Sequence, residues 1–376
     1  MDPIKRSSSR YAVSRREFLR TSGQAVFVAA AVSTLLAACG EDEQPAQGGA
    51  GDLGQLSVGI TSPTVPVLVT NRSGPIDYGP KFDLKIDPGK VTNFASHNTA
   101  VQAMLAGDFP VAGGATGTPF NLIEQGQDVK LFAPYMQKNV IWAAARPPIQ
   151  SWEDLLAGGK RMKIASDGPG GGYYFVWNAF FDAMGQKFKL EDRFDLVILE
   201  EPPQVNTGFI NGDVNAALLH YLDVAPVQKE LGEENMVILG KLEEDVPPMA
   251  FEAWYATTEW LDANQDVAKA FAASILTANR ELSKSFDAYK AAVTKHVEGG
   301  FPGTDDELKG LWSRIRENEV WPWNELTPES IMAAATVTQA SGGLKDASKM
   351  SNALDPRPNQ AALAEIGRIE AAAILG

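Results

Sequence analysis

Cysteine is almost missing from this chain. Cys39 stands alone among 376 residues, so no disulfide can form within it, and metal centres built on cysteine clusters are excluded. Histidine is nearly as scarce. His97, His220 and His296 are the three imidazoles, and no two share the short spacing that sets a metal pair on one helix face. Each reads as a surface or satisfied core residue, and no cofactor is indicated. Positive charge is short as well: Lys and Arg total 33 against 47 Asp and Glu, a net −14. A surface of that sign repels phosphate backbones and argues against nucleic-acid binding. No apolar run is long enough to span a bilayer. The stretch Ala25–Ala38 would rise only about 21 Å as a helix. A Gly-x-Ser-x-Gly elbow is absent, which leaves serine-hydrolase chemistry without its nucleophile, and the chain reads as a non-enzyme. What is present is ordinary globular material, 44% hydrophobic, 21% charged and 9% aromatic. That excludes wholesale disorder and suits two domains, each with its own core, and a monomer.

The first forty residues read as an address. Residues 1–24 carry six basic side chains against Asp2 and Glu17, a local charge of +4. Within them Ser14-Arg15-Arg16-Glu17-Phe18-Leu19-Arg20 matches the twin-arginine export pattern. The short Ala-rich stretch that follows ends in Leu36-Ala37-Ala38-Cys39, which resembles a lipobox. There the cysteine is acylated and becomes the new N-terminus. Residues 1–38 are thus expected to be a signal peptide, and their removal leaves 338 residues of charge −18. The expected location is extracytoplasmic, anchored to the membrane through lipid on Cys39. Residues 39–54, rich in Glu, Gln, Pro and Gly, suit a flexible tether.

The remainder divides in two. Leu56–Ile60 alternates like a strand and runs into the polar loop Ser62-Pro63-Thr64, and Asp83–Ile86 reads as a second strand. Ser96 can cap a helix carrying Val101, Met104 and Leu105, which stops at Gly107-Asp108 ahead of a buried strand over 109–112 and the loop 113–118. A hundred residues on, the phrase recurs: a helix to Asn211, Gly212-Asp213, then a strand through Leu219. In both, glycine supplies the left-handed helix end and aspartate the turn. Between them Ser151 caps a short helix, 161–165 forms a strand, and 168–172 is a glycine-rich turn ahead of a helix bearing Phe175, Val176 and Phe180. Pro147-Pro148 and Pro247-Pro248 mark two extended crossings between lobes, so 55–146 with 250–376 forms lobe 1 and 147–249 lobe 2. Val267, Phe271, Ile275, Leu282 and Phe286 define one face of a long helix, and Thr327-Pro328 starts another.

This ordered set, with the stretch Pro147–Ser166 at its centre, resembles the substrate-binding proteins of ABC importers of the nitrate/sulfonate/taurine type, a group that includes the thiamine-pyrimidine binders. Gly159-Lys160 fits the family pattern at the opening of the second lobe, whereas Arg161-Met162-Lys163-Ile164 runs slightly long. The resemblance covers residues 55–300. It implies a periplasmic-binding-protein type II fold, two mixed α/β lobes joined by a two-strand hinge. It also implies a small-molecule ligand held between them and ABC permease subunits as partners. An exported enzyme or a sensory module on the same fold are the alternatives. Candidate ligand-binding residues are Ser62 and Thr64 after the first strand, and Thr116 and Thr118 after the next. In lobe 2 they are Gly170, Gly171, Gly172 and Tyr173 in the glycine turn, and His220 and Tyr221 after the repeated strand. Tyr174 and Trp254 could add aromatic walls. Backbone N–H groups at the glycine turn can receive an anion or a carbonyl, while Thr116 and Thr118 could equally cap a helix. These loops hold no Lys or Arg, which favours a neutral or weakly anionic ligand.

Overall fold

The computed structural model describes residues 56–61, 65–94, 97–169 and 171–376. Cys39, Ser62, Thr64, Ser96 and Gly170 lie outside the described residues, as do the signal peptide and tether. The described chain folds around two five-stranded sheets. The first contains β1 (Val58–Thr61), β2 (Val91–Phe94), β3 (Val111–Ala115), β4 (Val129–Met136) and β10 (Glu252–Thr257) in the order β2-β1-β3-β10-β4. The second contains β5 (Ile141–Ala145), β6 (Lys163–Ser166), β7 (Asp195–Ile198), β8 (Ala216–His220) and β9 (Val237–Lys241) in the order β7-β6-β8-β5-β9.

The two orders are the same order. In each sheet three parallel strands come first, and the fourth place is taken by a strand that has just arrived from the other lobe. β5 runs antiparallel to β8 and β9, and β10 antiparallel to β3 and β4. The lobes therefore exchange one strand each, and the two crossings are short. They also touch: the Met249 N–H donates to the Gln137 carbonyl at 3.1 Å, which makes the crossings one two-strand hinge.

Both repeats of the helix–glycine–aspartate phrase are real. Helices His97–Leu105 and Pro202–Asn211 end at Gly107 and Gly212, at φ 87° and 80°, and β3 and β8 follow. Elsewhere the structure departs from expectation. The first crossing precedes β5, so lobe 2 begins near residue 140; the proline pair at 147–148 follows the strand and marks no boundary. Residues 83–86 form no extended strand; Lys85 alone makes an isolated β-bridge. Leu84 and Ile86 are buried and give the alternation of one, but Asp83 sits at φ 58° and β2 forms only after Pro88-Gly89-Lys90. The long helical face is broken at Ser285, whose hydroxyl caps a new helix, Phe286–His296, so Phe286 belongs to that helix and not to Gln265–Lys284.

Each lobe has its own apolar core. In lobe 1, Gly113 leaves room for Trp254, since a Cβ there would lie 2.7 Å from the indole. Trp254 stacks on Tyr135 and meets Phe271 of helix Gln265–Lys284 edge-on, at 5.4 and 4.8 Å. In lobe 2, Trp177, Phe181 and Phe194 stack under β6 and β7, and the Trp177 Nε1–H donates to the Ala165 carbonyl. Aromatic packing of this density fixes each lobe as a rigid body.

Candidate functional site

In sheets of this kind loops at the carboxyl ends of parallel strands gather ligands, and here both sheets turn those ends toward the hinge. The β3 end is anchored there directly. The Thr116 hydroxyl donates to the Ala250 carbonyl at 2.7 Å, and the Thr116 N–H to the Phe251 carbonyl at 3.3 Å. Thr116 is thus committed to the crossing, and its side chain caps nothing in helix Gly117–Glu124. Thr118 differs. It is 4% exposed and its Oγ1 is buried without a hydrogen-bond partner.

The glycine turn after β6 is built in a way the sequence did not suggest. The Asp167 carboxylate folds back over the turn and accepts from the N–H of Tyr173 at 3.1 Å and of Tyr174 at 2.9 Å. Gly171 is required by that closeness, because a Cβ would stand 2.1 Å from the Asp167 carboxyl carbon. The free donors at the start of helix Gly172–Ala183, expected to receive a ligand's anion or carbonyl, are used internally. Burial raises the Asp167 pKa, and the backbone N–H bonds oppose the rise.

Tyr173 and His220 are brought together, their rings 6.1 Å apart and nearly edge-on. The Tyr173 hydroxyl is buried without a partner in a residue 7% exposed. Burial raises its pKa first, and Asp167, Asp223 and Glu201 add to the rise. Burial lowers the His220 pKa while Asp223 works against it, so the imidazole favours its neutral form. Tyr221, by contrast, faces lobe 1. Its hydroxyl lies where a Cβ on Gly310 would come within 2.7 Å, and the Arg314 guanidinium lies over its ring at 5.1 Å.

Arg314 belongs to a latch across the lobes. From helix Asp305–Glu317 it donates to Glu243 at 3.0 Å and Glu244 at 2.8 Å, and lies over Trp142 of β5 at 4.7 Å. The Trp142 Nε1–H donates to the same Glu243 oxygen at 3.0 Å. Burial raises the Glu243 pKa; the Trp142 hydrogen bond and Arg314 pull it back. Nearer the cleft, the Tyr174 hydroxyl shares its one proton between Glu191 at 2.7 Å and the Ser341 carbonyl of lobe 1 at 3.1 Å, and Phe175 meets Phe251 at 5.4 Å. Tyr174 therefore joins the lobes, and Trp254 is core of lobe 1.

One residue at this edge escaped notice in the sequence. Glu252 opens β10 opposite Ala115, is 5% exposed, and keeps Oε2 buried without a partner. Burial alone pushes its pKa up to about 8. An isolated Glu in a β-rich stretch carries no sequence signal of this. Among the described residues no group of His, Cys, Asp and Glu could hold a metal ion, and no helix is long and apolar enough to cross a membrane.

Two α/β lobes with exchanged strands and a shared hinge define the periplasmic-binding-protein fold, and solved structures of that class match this chain along most of its length. The ligand-binding component of an ABC-type import system from Staphylococcus aureus is 12% identical with a TM-score of 0.62, covering 82% of this chain and 98% of that one. The periplasmic nitrate-binding protein NrtA of Synechocystis PCC 6803 is 14% identical with a TM-score of 0.60, covering 85% and 90%. A putative periplasmic sulfonate-binding protein SsuA of Methylobacillus flagellatus KT is 16% identical with a TM-score of 0.59, covering 84% and 96%. At these identities the likeness establishes the fold. No family profile matches the sequence, and no curated protein matches it.

Proposed function

We propose that this chain is a solute-binding protein of the nitrate/sulfonate/taurine type, which captures a small molecule between its lobes and delivers it to the permease subunits of an ABC importer. The observation that carries this reading is a pair of buried, unpartnered hydroxyls, Thr118 on lobe 1 and Tyr173 on lobe 2, at the carboxyl edges of the two sheets. A buried polar atom without a partner costs roughly 1–3 kcal/mol, and a ligand held between the lobes would relieve that cost on both sides at once. Closure then follows from the ligand's preference for the state in which both lobes reach it. The solved neighbours, described as ligand-binding components of importers and as nitrate- and sulfonate-binding proteins, support the same reading.

The export signal and the lipid on Cys39 complete the proposal: the chain leaves the cytoplasm folded, stays tethered outside the membrane, and works as a monomer. The solved neighbours are described as binding proteins, which favours binding over turnover. A thermal-shift screen of the purified protein against small ions, sulfonates, carboxylates, amines and heterocycles tests this. A compound present at a hundredfold its Kd should add about 2.7 kcal/mol of stability and be recovered chemically unchanged. A compound recovered as product would overturn the reading in favour of an enzyme.

A further inference from the structure

The cleft edge holds a buried acid with nothing to balance it. Glu252 shares a face of the sheet with Trp254, two residues along the same strand, and stands one step nearer the hinge. The Tyr135 hydroxyl on β4 and the Trp254 Nε1–H on the same strand face are likewise buried and unpartnered. Among the described residues, three basic side chains are engaged elsewhere. Lys138 of the first crossing donates to the Glu243 carbonyl, Arg314 is held by Glu243 and Glu244, and Arg72 donates to Asn93 and to the His296 carbonyl. The facing rim of lobe 2 is acidic too, with Asp167, Asp223 and Glu201 near the Tyr173 hydroxyl.

Resting on the reading of the chain as a solute-binding protein, we propose that Glu252 is the specificity-determining residue of the cleft. Its ligand is a small organic cation bearing N–H donors, such as a primary ammonium, an amidinium or a protonated amino-heterocycle. The reasoning is one of charge. A sulfonate or nitrate brought to this edge would find no counter-charge at Glu252 and would face the acidic groups near Tyr173. Left alone, the buried acid keeps its proton at neutral pH, and a neutral ligand gives it no charge partner that would favour releasing it. A cation with N–H groups lets Glu252 ionise, its proton leaving to solvent, and holds the resulting carboxylate by charge-assisted hydrogen bonds. A quaternary ammonium, lacking N–H, leaves Oε2 as it is. Thr118 and Tyr173 are left to read the rest of the molecule. This departs from the neutral or weakly anionic ligand that the loop sequences favour.

The test is calorimetric titration of wild type and Glu252→Gln with benzamidine, agmatine and putrescine, against benzamide, benzoate, taurine and nitrate. The expected result is binding within the cationic set only, weakened about ten- to a hundredfold by Glu252→Gln, with the variant melting no lower than wild type. Binding of taurine, nitrate or benzoate that Glu252→Gln leaves unchanged or tightens would overturn the inference while leaving solute binding intact. If the variant fails to fold, the matched pair decides on wild type alone, and benzamide bound as tightly as benzamidine overturns it. Binding of no compound in either set would count against the solute-binding reading itself, and the inference would fall with it.

Discussion

Asp167 and Gly171 are in contact across a turn of five residues: the carboxylate that caps helix Gly172–Ala183 occupies the space where any side chain at 171 would begin. The pair converts what reads as an anion cradle into a closed corner filled by a carboxyl group. Loss of the cap in Asp167→Ala should cost about 1–2 kcal/mol in urea unfolding. Gly171→Ala should cost about 1–3 kcal/mol through the clash. The double variant should be more stable than the sum of the two predicts, because the clash disappears with the carboxylate. Strict additivity would show that the two do not meet.

Arg314 joins helix Asp305–Glu317 to the hinge end of lobe 2, through Glu243, Glu244 and the Trp142 and Tyr221 rings. Arg314→Met should leave Glu243 buried without its cation and destabilise the protein by roughly 2–4 kcal/mol. It should also favour an open arrangement, read as a larger radius of gyration by small-angle scattering. Arg314→Lys restores charge without the planar fork and should recover only part of the loss. An unchanged radius of gyration in Arg314→Met would show that the latch does not hold the lobes.

Glu252 gives a pH dependence whose sign is fixed by burial. Its carboxyl titrates near 4.5 in an ordinary setting and about 8 here. Between those values the folded chain holds one proton that the unfolded chain has released, so stability falls as pH rises through the window. The cost is complete above pH 8 and amounts to at most about 5 kcal/mol. The difference in Tm between Glu252→Gln and wild type should be near zero at pH 4.5 and should grow in favour of the variant up to pH 8.5. A constant difference across that range would contradict it. Asp167 and Glu243 are also raised, but they contribute equally to both proteins and cancel.

How much of this was legible in the sequence depends on what kind of signal each feature leaves. The repeated helix–glycine–aspartate phrase survives because Gly107 and Gly212 must adopt positive φ, and capping residues such as Ser151 and Thr327 act on neighbours three residues away. Leu84 and Ile86 promised a strand where only Lys85 makes an isolated bridge, because burial on one side produces the same alternation with or without a ladder. The first crossing was misplaced because Pro147-Pro148 looks like a connector, whereas β5 is recognisable only through pairing with β8 and β9. Among the candidate site residues Tyr173 and His220 do meet, Thr116 is spent on the hinge, and Tyr221 on the latch. Those assignments rest on partners 134 or more residues away for Thr116, and no local pattern records them. Glu252 was invisible for the same reason, since a lone acid is ordinary until its surroundings are known.

The measurement that tests the central claim most directly is calorimetric titration of the most stabilising screened compound into wild type, Thr118→Val and Tyr173→Phe. If the ligand is held between the lobes, binding is one to one, and each substitution weakens it about tenfold, as expected for one hydrogen bond lost from each side. Affinity unchanged in both variants would place the ligand elsewhere and contradict capture between the lobes.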